Sequence, residues 1–547
     1  MPDAIHFLPC RRDIPDQRSA SAAPAIFVRT REFTSIMKKG NEIMRTRNKY
    51  INILAIALFG ATTLGGTANS ADPNTIRIVD YWNVRTDWLM SSDDSNLGTR
   101  AGCFEGLTST DYENKLQPSL STSWAQTTPT SWDFTLRANV KFQDGQPLNA
   151  ANVANALNNL LTASVPARAF SPKQIKSVEP VSDNVVRVTT HEPSVMVPLQ
   201  MASAATSILS PAGYKDGKVN PMGTCTGPFI ITEVDPRQGM VVKRNDDYWG
   251  GKPKLDGAEI KFIPDANSRA LQIRTGEADL IRLVPPLVVG SLKDTPGIKI
   301  EALNAPRITM MLMNNKRAPF DNLKVRQAIQ AAIDTAGIAD AIYEGAVKPA
   351  IGPFVPSDPW ALKETSLPYD LEKAKALFEE AGVKPETLKL ELIAYTSRTE
   401  FKDVAAVIQE QLGALGIQIR IKAAEYNAVE RDVLSGNYDM MLLSRGYLVD
   451  AAEPASYLNA DYSCDGSYNM SHYCSPATDA KLKEMYKLAD PSARAALYRE
   501  VAQTIQDEAV TVFLVNETAY DAYNPKIKNY RTHPLNYYTL TPTLSVD

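Results

Sequence analysis

The sequence is poor in the side chains that most enzymes use for acid–base or metal chemistry, with four histidines and five cysteines in 547 residues. So few histidines leave little general-base capacity near neutral pH. The Gly-x-Ser-x-Gly, His-Glu-x-x-His and Walker phosphate-loop motifs are also missing from the sequence. The sequence therefore argues against an enzyme, and a secreted hydrolase built on an Asp/Glu pair is a remote alternative.

An excess of positive charge is missing as well. The chain holds 58 Lys and Arg against 62 Asp and Glu, for a formal net charge of -4. Nucleic-acid-binding proteins usually present a basic face, so this class is excluded. Hydrophobic residues make up 44% of the chain, enough for a sizeable core, and the length favours two or more lobes.

No apolar run is long enough to cross a bilayer, which takes about 20 residues as a helix. The mostly apolar stretch 51–64 follows a basic segment at 44–49 and precedes the small residues 65–71. This order is typical of a secretory signal peptide, with an uncleaved anchor as the alternative. We therefore predict a signal peptide at 44–71, a non-native or disordered extension at 1–43, and export to the periplasm. No cysteine ends the apolar run, so a lipid anchor is not expected.

Cysteine usage agrees with export. Cys10 belongs to the leader, and an even number of cysteines in an oxidising compartment indicates disulfides. Cys464 and Cys474 enclose a short loop, so we favour this pair with Cys103–Cys225 as the other, although four cysteines permit three connectivities. A zinc site is the alternative, but the spacing is wrong for Cys-x2-Cys and few histidines remain to assist. We expect no cofactor and no metal.

The remaining chain has the pattern of a mixed α/β protein. Residues 388–392 alternate like a strand, residues 401–415 are apolar at helical spacing, and residues 417–421 alternate again. This strand–helix–strand unit predicts a parallel pair. A second amphipathic helix is predicted at 371–381, and 438–443 has the apolar run of a strand buried on both faces.

Several motifs then follow one another in a fixed order along the chain. They lie at Leu120–Trp124, Trp132–Arg137, Val140–Val153, Gly223–Phe229, Arg244–Pro253, Gly276–Asp279, Asn314–Asp334 and Tyr369–Gly382. Together they resemble the family 5 extracellular solute-binding proteins, the peptide- and nickel-type receptors of ABC importers. Most of the motifs are architectural, since Asp144-Gly145 is a turn signal and Trp249 is a packing anchor in a tight loop.

The resemblance implies an α/β, two-lobed periplasmic binding protein of type II, in the large cluster C form, with the ligand cleft between the lobes. It places lobe I, with an inserted subdomain, at 72–312 and 517–547, and lobe II at 313–516. The chain then crosses between the lobes near 307–316 and 511–518. The implied partners are a small-molecule ligand and the membrane-embedded permease subunits of an ABC importer, with the protein itself a monomer.

The resemblance also implies a ligand-binding loop directly after the strand 438–443. In peptide-binding members, the Asp three residues after an aromatic residue in this loop receives the free amino group of the ligand. Asp450 after Tyr447 matches that position, and Glu453-Pro454 matches the acidic-Pro pair that follows. The family commonly has Trp where this chain has Tyr447. The alternative for Asp450 is that it caps a turn.

Four further residues are predicted ligand contacts. Arg445 and Arg168 are candidates for binding a ligand carboxylate, because the guanidinium group can bind it through two hydrogen bonds. Tyr81 and Trp82 follow the first predicted strand and could line an apolar wall of the cleft. A solvated surface position is the alternative for each arginine, and core packing is the alternative for the two aromatic residues.

The predicted ligand is a short peptide or an amino-acid conjugate such as an opine, because a free amine suits Asp450. The alternative is a nickel or metallophore chelate, which related receptors also carry. Such chelates are held by Arg, aromatic and occasional His side chains, and only His472 lies close to the loop in the sequence.

Overall fold

The computed structural model describes residues 74–84, 88–91, 94–164, 167–168, 170–215, 218–363, 368–448 and 451–547. The predicted signal peptide, the N-terminal extension and Asp450 lie outside the described residues. Within the described ranges, no helix has the length and apolarity needed to span a bilayer.

The strands include many short segments in the first half of the chain and two long ones, β14 and β19. In chain order they are β1 (Thr75–Asp80), β2 (Thr108–Thr110), β3 (Leu116–Pro118), β4 (Ser121–Thr128), β5 (Ser131–Leu136), β6 (Ile175–Ser182), β7 (Val185–Thr190), β8 (Tyr214–Lys215), β9 (Lys218–Val219), β10 (Phe229–Asp235), β11 (Gly239–Arg244), β12 (Gly257–Phe262), β13 (Leu280–Ile281), β14 (Lys299–Met313), β15 (Lys348–Pro349), β16 (Lys389–Tyr395), β17 (Gln418–Ala424), β18 (Met440–Gly446), β19 (Thr511–Tyr523), β20 (Ile527–Lys528) and β21 (Ser545–Val546).

The helices lie mainly in the second half of the chain. They are α1 (Asp94–Arg100), α2 (Ala150–Leu161), α3 (Val197–Gln200), α4 (Ala266–Arg274), α5 (Pro286–Lys293), α6 (Leu323–Ala331), α7 (Thr335–Tyr343), α8 (Leu371–Glu380), α9 (Phe401–Gly413), α10 (Tyr426–Leu434), α11 (Ala455–Tyr462), α12 (Pro476–Met485) and α13 (Pro491–Asp507).

Most strands belong to one sheet with the order β10-β11-β12-β1-β13-β19-β14-β18-β16-β17, and β15 pairs with β19. A separate four-stranded sheet, β4-β5-β7-β6, forms the inserted part of the first half. The predicted strand–helix–strand unit is confirmed, because β16 and β17 pair in parallel and α9 connects them. The helix predicted at 371–381 and the strand predicted at 438–443 are confirmed as α8 and β18, and every residue of β18 is buried.

The long strands β14 and β19 pair along most of their length, but the ladder is interrupted. Residues Lys299–Asn304 of β14 pair with Tyr523 to Thr518 of β19, and pairing resumes where Ile308 lies opposite Asn516. Pro306 lies in the interruption, where it has no N–H group to donate to a ladder. β14 keeps β19 as its partner on both sides of the interruption and also pairs with β18 from Arg307 onward, close to the predicted crossing at 307–316.

Most buried apolar residues fall into separate clusters on either side of this interruption. One large cluster contains the part of β14 from Ile308, the part of β19 up to Val515 and the elements between them, together with Met196, Ala204, Leu535 and Tyr537 from the lobe I ranges. A second large cluster is built from residues 76–280 and 527–544, and a smaller third one includes Tyr520 and Ala522 of β19. The fold is therefore two-lobed and mixed α/β, as predicted. These clusters support the predicted lobe boundaries, which we retain as a proposal.

Two disulfides tie together residues of each lobe. Cys103 is bonded to Cys225, with Cα atoms 5.5 Å apart, and Cys464 is bonded to Cys474, with Cα atoms 4.4 Å apart. This is the pairing that the sequence favours. All four thiols are thus engaged with one another.

Candidate functional site

The predicted ligand-binding loop begins at the crossing between the lobes. Tyr447, directly after β18, donates its backbone N–H to the carbonyl oxygen of Pro306 at 3.1 Å. Its side chain is 2% exposed, and its ring packs edge-on against Phe354, with centroids 5.2 Å apart. Its hydroxyl donates to the carboxylate of Asp358 and accepts from the backbone N–H of Val355 at 3.2 Å. Tyr447 therefore anchors the start of the loop. Burial raises the pKa of its partner Asp358 to about 6.

The far end of the loop is anchored by an ion pair. Both carboxylate oxygens of Glu453 accept from Arg494, at 2.7 Å from Nε and 2.6 Å from Nη2. The hydroxyl of Tyr498 donates to the same carboxylate at 2.7 Å. Arg494 and Tyr498 both lie on α13, so Glu453 fixes the loop to this helix just before Pro454 and α11. Asp450 belongs to the loop by sequence, and its role stays a prediction.

Arg445 is paired with a carboxylate of the protein. Its Nε and Nη2 donate to the two carboxylate oxygens of Asp461 at 2.8 and 2.7 Å, and both residues are buried. The guanidinium carbon lies 5.4 Å from the ring centroid of Tyr457 and 4.7 Å from that of Tyr468. Arg445 thus lies beside the loop, where its guanidinium group is paired with Asp461 and contacts two aromatic rings.

A second set of charged and polar groups lies at the proposed crossing. The carboxylate of Glu517 on β19 accepts from Ser444 Oγ at 2.6 Å, from Thr309 Oγ1 at 2.8 Å and from Arg398 Nη2 at 2.9 Å. Arg307 Nη1 also donates to Ser444 Oγ, at 3.0 Å. Burial alone would raise the pKa of Glu517, but the guanidinium groups of Arg398 and Arg307 lower it below its ordinary value. The sequence analysis missed this group.

Tyr81 and Trp82, the aromatic residues predicted to line the cleft, directly follow β1 in lobe I. The hydroxyl of Tyr81 accepts from Asn536 Nδ2 at 2.9 Å, and the guanidinium carbon of Arg100 lies 5.4 Å from its ring centroid. Trp82 is 37% exposed and donates its backbone N–H to Asp80 at 3.2 Å. Tyr81 thus makes its contacts within lobe I, whereas Trp82 is one of the exposed large hydrophobic residues.

Buried ion pairs hold this part of lobe I in place. Asp80 lies 2.9 Å from Arg100 Nε and 3.4 Å from Arg282 Nη1, and all three side chains are almost fully buried. Burial would raise the pKa of Asp80, but the two arginines lower it. Asp521, four residues after Glu517 on β19, accepts from Tyr530 and Thr532 at 2.6 and 2.8 Å. The strand β19 therefore carries two carboxylates near the crossing, the half-buried Glu517 and the fully buried Asp521.

The last predicted contact, Arg168, is half-buried in the segment that follows α2.

A chelate site built from protein ligands is not evident, because the described part of the chain contains no group of three or more His, Cys, Asp or Glu that could hold a metal ion. His472 Nε2 lies 2.9 Å from the carbonyl oxygen of Val433, so its ring is used inside lobe II.

Comparison with known proteins decides the family. Residues 115–469 match the family described as bacterial extracellular solute-binding proteins, family 5. The chain belongs to this family. The sequence-based assignment is therefore confirmed. This family 5 protein is a solute-binding protein, and its fold is the one that the resemblance implies.

Individual relatives of this family 5 protein differ in what they bind. It is 26% identical over 449 residues to the nickel-binding protein NikA of Staphylococcus aureus, an alignment that covers 82% of this chain and 90% of NikA. It is 27% identical over 440 residues to the probable D,D-dipeptide-binding periplasmic protein DdpA of Escherichia coli, covering 78% and 83%. Among solved structures, AgaA from A. tumefaciens R10, in complex with agropinic acid, superposes with a TM-score of 0.75 at 21% identity, covering 86% and 99%.

Proposed function

We propose that this family 5 protein captures a short peptide or an amino-acid conjugate between its lobes and delivers it to the permease of an ABC importer. It acts in the periplasm after signal-peptide cleavage, as a monomer and without catalysis. One observation carries the proposal. The loop that contains Asp450 in the sequence starts at the lobe crossing and is anchored at one end by Tyr447–Asp358 and at the other by Glu453–Arg494.

An anchored loop is what recognition of a charged group requires. A carboxylate that is held in place and shielded from water makes charge-assisted hydrogen bonds to an ammonium group without first having to be ordered. Closure of two lobes around the ligand expels water and strengthens such contacts. The relative DdpA is described as binding D,D-dipeptides, which carry such an ammonium group.

The test compares a ligand with and without its amino group. Calorimetric titration of the mature protein with alanyl-alanine should show binding, and N-acetyl-alanyl-alanine should bind far more weakly, because it lacks the ammonium group. Asp450→Ala should weaken binding of the free dipeptide by about 2–4 kcal/mol, the range for losing one partner of a buried charged pair. Unchanged affinity in this variant would reject the role of Asp450.

A matched control separates the loss of one carboxylate from a general change of charge. Asp465 is exposed and lies in the same lobe, within the loop closed by the Cys464–Cys474 disulfide. Asp465→Ala should leave the affinity unchanged. Native mass spectrometry of the exported protein, searching for a carried-over small molecule, would identify the natural ligand class directly.

A nickel chelate is the second candidate, because the relative NikA is described as nickel-binding. The guanidinium and aromatic cluster of Arg445, Tyr457 and Tyr468 contains side chains of the type that hold such chelates. The metal content of the purified protein, measured with and without a chelator in the buffer, distinguishes the two candidates. Nickel that remains bound in stoichiometric amount would favour the chelate over the peptide.

A further inference from the structure

The two disulfides differ in their exposure to solvent. Cys103 and Cys225 are both fully buried, at 0% exposure. Cys474, in contrast, is exposed, and its partner Cys464 is half-buried. Thiol–disulfide exchange requires a thiolate to reach one of the two sulfur atoms, so access decides which bridge reacts, and exposed bridges are the labile ones. The 464–474 bridge is therefore the one that a thiol can attack while the protein stays folded.

Lobe II does not depend on this bridge for its fold. The bridge joins cysteines only 10 positions apart, and a short closed loop restricts the unfolded chain less than a long one does. The second half of the loop is also held by hydrogen bonds of its own. The carbonyl oxygen of Ser471 accepts from the backbone N–H of Asn315 at 2.8 Å, and that of Met470 accepts from the hydroxyl of Tyr438 at 2.6 Å. Opening the bridge therefore leaves this half of the loop in place.

The first half of the loop carries an aromatic ring that covers Arg445. The guanidinium carbon of Arg445 lies 4.7 Å from the ring centroid of Tyr468. Tyr468 donates its backbone N–H to the carbonyl oxygen of Ala460 at 3.0 Å, and its hydroxyl is hydrogen-bonded to that of Tyr426. The chain from Cys464 to Tyr468 is exposed or half-buried throughout. The covalent tie at Cys464 thus restricts a solvent-accessible segment that places the ring on the guanidinium group.

Arg445 connects this disulfide loop to the start of the predicted ligand-binding loop. It lies in β18, two residues before Tyr447, and it donates two hydrogen bonds to Asp461 at 2.8 and 2.7 Å. Asp461 lies in α11, three residues before Cys464. A change in the position of the Tyr468 ring therefore acts on an ion pair that adjoins both loops.

We propose that the 464–474 bridge is a site of reversible exchange with a dithiol. Its reduction releases Tyr468 from Arg445 and thereby weakens ligand binding. A thiolate of the dithiol attacks the sulfur of Cys474, forms a mixed disulfide and displaces the thiolate of Cys464, which takes up a proton. The second thiol of the dithiol then loses its proton, attacks the mixed disulfide and displaces the Cys474 thiolate, which is protonated in turn. The dithiol is oxidised to its own disulfide, and the protein bridge gains two electrons and two protons.

Differential alkylation tests the exchange site. The folded mature protein is treated with dithiothreitol, and free thiols are blocked with iodoacetamide and located by peptide mass spectrometry. Cys464 and Cys474 should become alkylated at least tenfold faster than Cys103 and Cys225, which are the buried control in the same chain. The far-ultraviolet circular dichroism should not change, and oxidised dithiothreitol should restore the bridge before alkylation. Equal rates at the two bridges, no reduction of either, or loss of the fold on reduction would overturn the exchange site.

Dipeptide binding tests the coupling through Tyr468, and this part rests on the proposed function. The double variant Cys464→Ser/Cys474→Ser represents the reduced state without added thiol, and calorimetric titration should show at least threefold weaker binding of alanyl-alanine. Tyr468→Ala should weaken binding by a similar factor, and it should add little to the double variant, because both changes act through the same contact. Ser467→Ala, at an exposed position of the same loop, should leave the affinity unchanged.

The two tests fail separately. Unchanged affinity in the double cysteine variant, or a full additional loss when Tyr468→Ala is combined with it, would refute the coupling. An unmodified protein that binds no dipeptide would refute the proposed function together with the coupling. The alkylation rates decide the exchange site in either case.

Discussion

Replacing Asp358 by asparagine should change how the free energy of unfolding depends on pH. Asp358 is half-buried beside the loop, where it accepts from Tyr447 and from Trp360 Nε1 at 3.1 Å, and desolvation raises its pKa to about 6. An unfolded aspartate titrates near pH 4, so the folded protein holds a proton between about pH 4 and 6 that the unfolded chain has released. The stabilisation from this group is fully present below about pH 4 and is lost as the pH rises through about 6.

The magnitude follows from the difference between the two pKa values. Two pH units correspond to about 3 kcal/mol, which is an upper bound because Asp358 is not fully excluded from solvent. Asparagine keeps a side-chain oxygen that can accept from Tyr447 and Trp360, but it does not ionise. The stability of Asp358→Asn relative to the unmodified protein should therefore rise by up to about 3 kcal/mol between pH 4 and 7.

His533 should produce the opposite slope in the same pH window. It is 2% exposed, and burial lowers its pKa to about 4, although its Nε2 lies 3.3 Å from the carbonyl oxygen of Thr110. An unfolded histidine titrates near pH 6.5, so the unfolded chain binds the extra proton between about pH 4 and 6.5. The contribution of neutral His533 is present above about pH 6.5 and is lost as the pH falls through about 4. The two groups therefore offset each other in the unmodified protein.

The assay is urea unfolding, followed by far-ultraviolet circular dichroism at pH 4, 5, 6 and 7 with both disulfides intact. Asp358→Asn should give stability that rises with pH relative to the unmodified protein, and His533→Gln should give stability that falls. The slope m must stay constant between variants, since a changed m would report a change in the surface exposed on unfolding. Asp465→Asn, at an exposed position, serves as the control. Parallel curves for Asp358→Asn and the unmodified protein would refute the assignment of the raised pKa.

Two further predictions concern stability. Replacing both Cys103 and Cys225 by serine should lower the free energy of unfolding by about 5 kcal/mol, because the bridge spans 122 residues. Loss of the 464–474 bridge, which spans 10 residues, should lower it by about 3 kcal/mol. Guanidinium unfolding measures both losses, and equal losses would contradict the dependence on loop length. Glu453→Gln should lower the free energy of unfolding by about 3–5 kcal/mol, because it leaves a buried arginine without its carboxylate. Glu500→Gln, in an exposed ion pair, should lower it by no more than about 1 kcal/mol. Similar losses in the two variants would show that the loop anchor is not a buried pair.

Local sequence patterns were sufficient for the elements that position the site. The alternation at 388–392, the helical spacing at 401–415 and the apolar run at 438–443 each specify an element through neighbours along the chain, and all are confirmed. The end of α8 is also local, because Gly382 follows it with a φ of 67°, which glycine adopts without steric cost. Such signals require no knowledge of tertiary packing.

The partners of the loop residues could not be predicted in the same way. Asp358 is 89 residues from Tyr447, and Arg494 is 41 residues from Glu453. Tertiary packing alone brings such residues together, so no spacing in the sequence marks them as partners. Trp249 shows the same limit, since the tight loop predicts a packing anchor but not a hydrogen bond to a carboxylate 144 residues away.

The ion pairs near the crossing and in lobe I support the proposed amine-bearing ligand. Arg445 is paired with Asp461, Arg398 with Glu517, and Arg282 with Asp80. A ligand carboxylate would have to compete with a protein carboxylate for each of these guanidinium groups, and breaking a buried pair leaves an uncompensated charge that costs several kcal/mol. An ammonium group needs only a carboxylate acceptor, such as the one proposed at Asp450. A ligand bearing an amine can therefore be bound while all three pairs remain intact, and the same argument explains why an N-acetylated dipeptide, which retains only its carboxylate, should bind poorly.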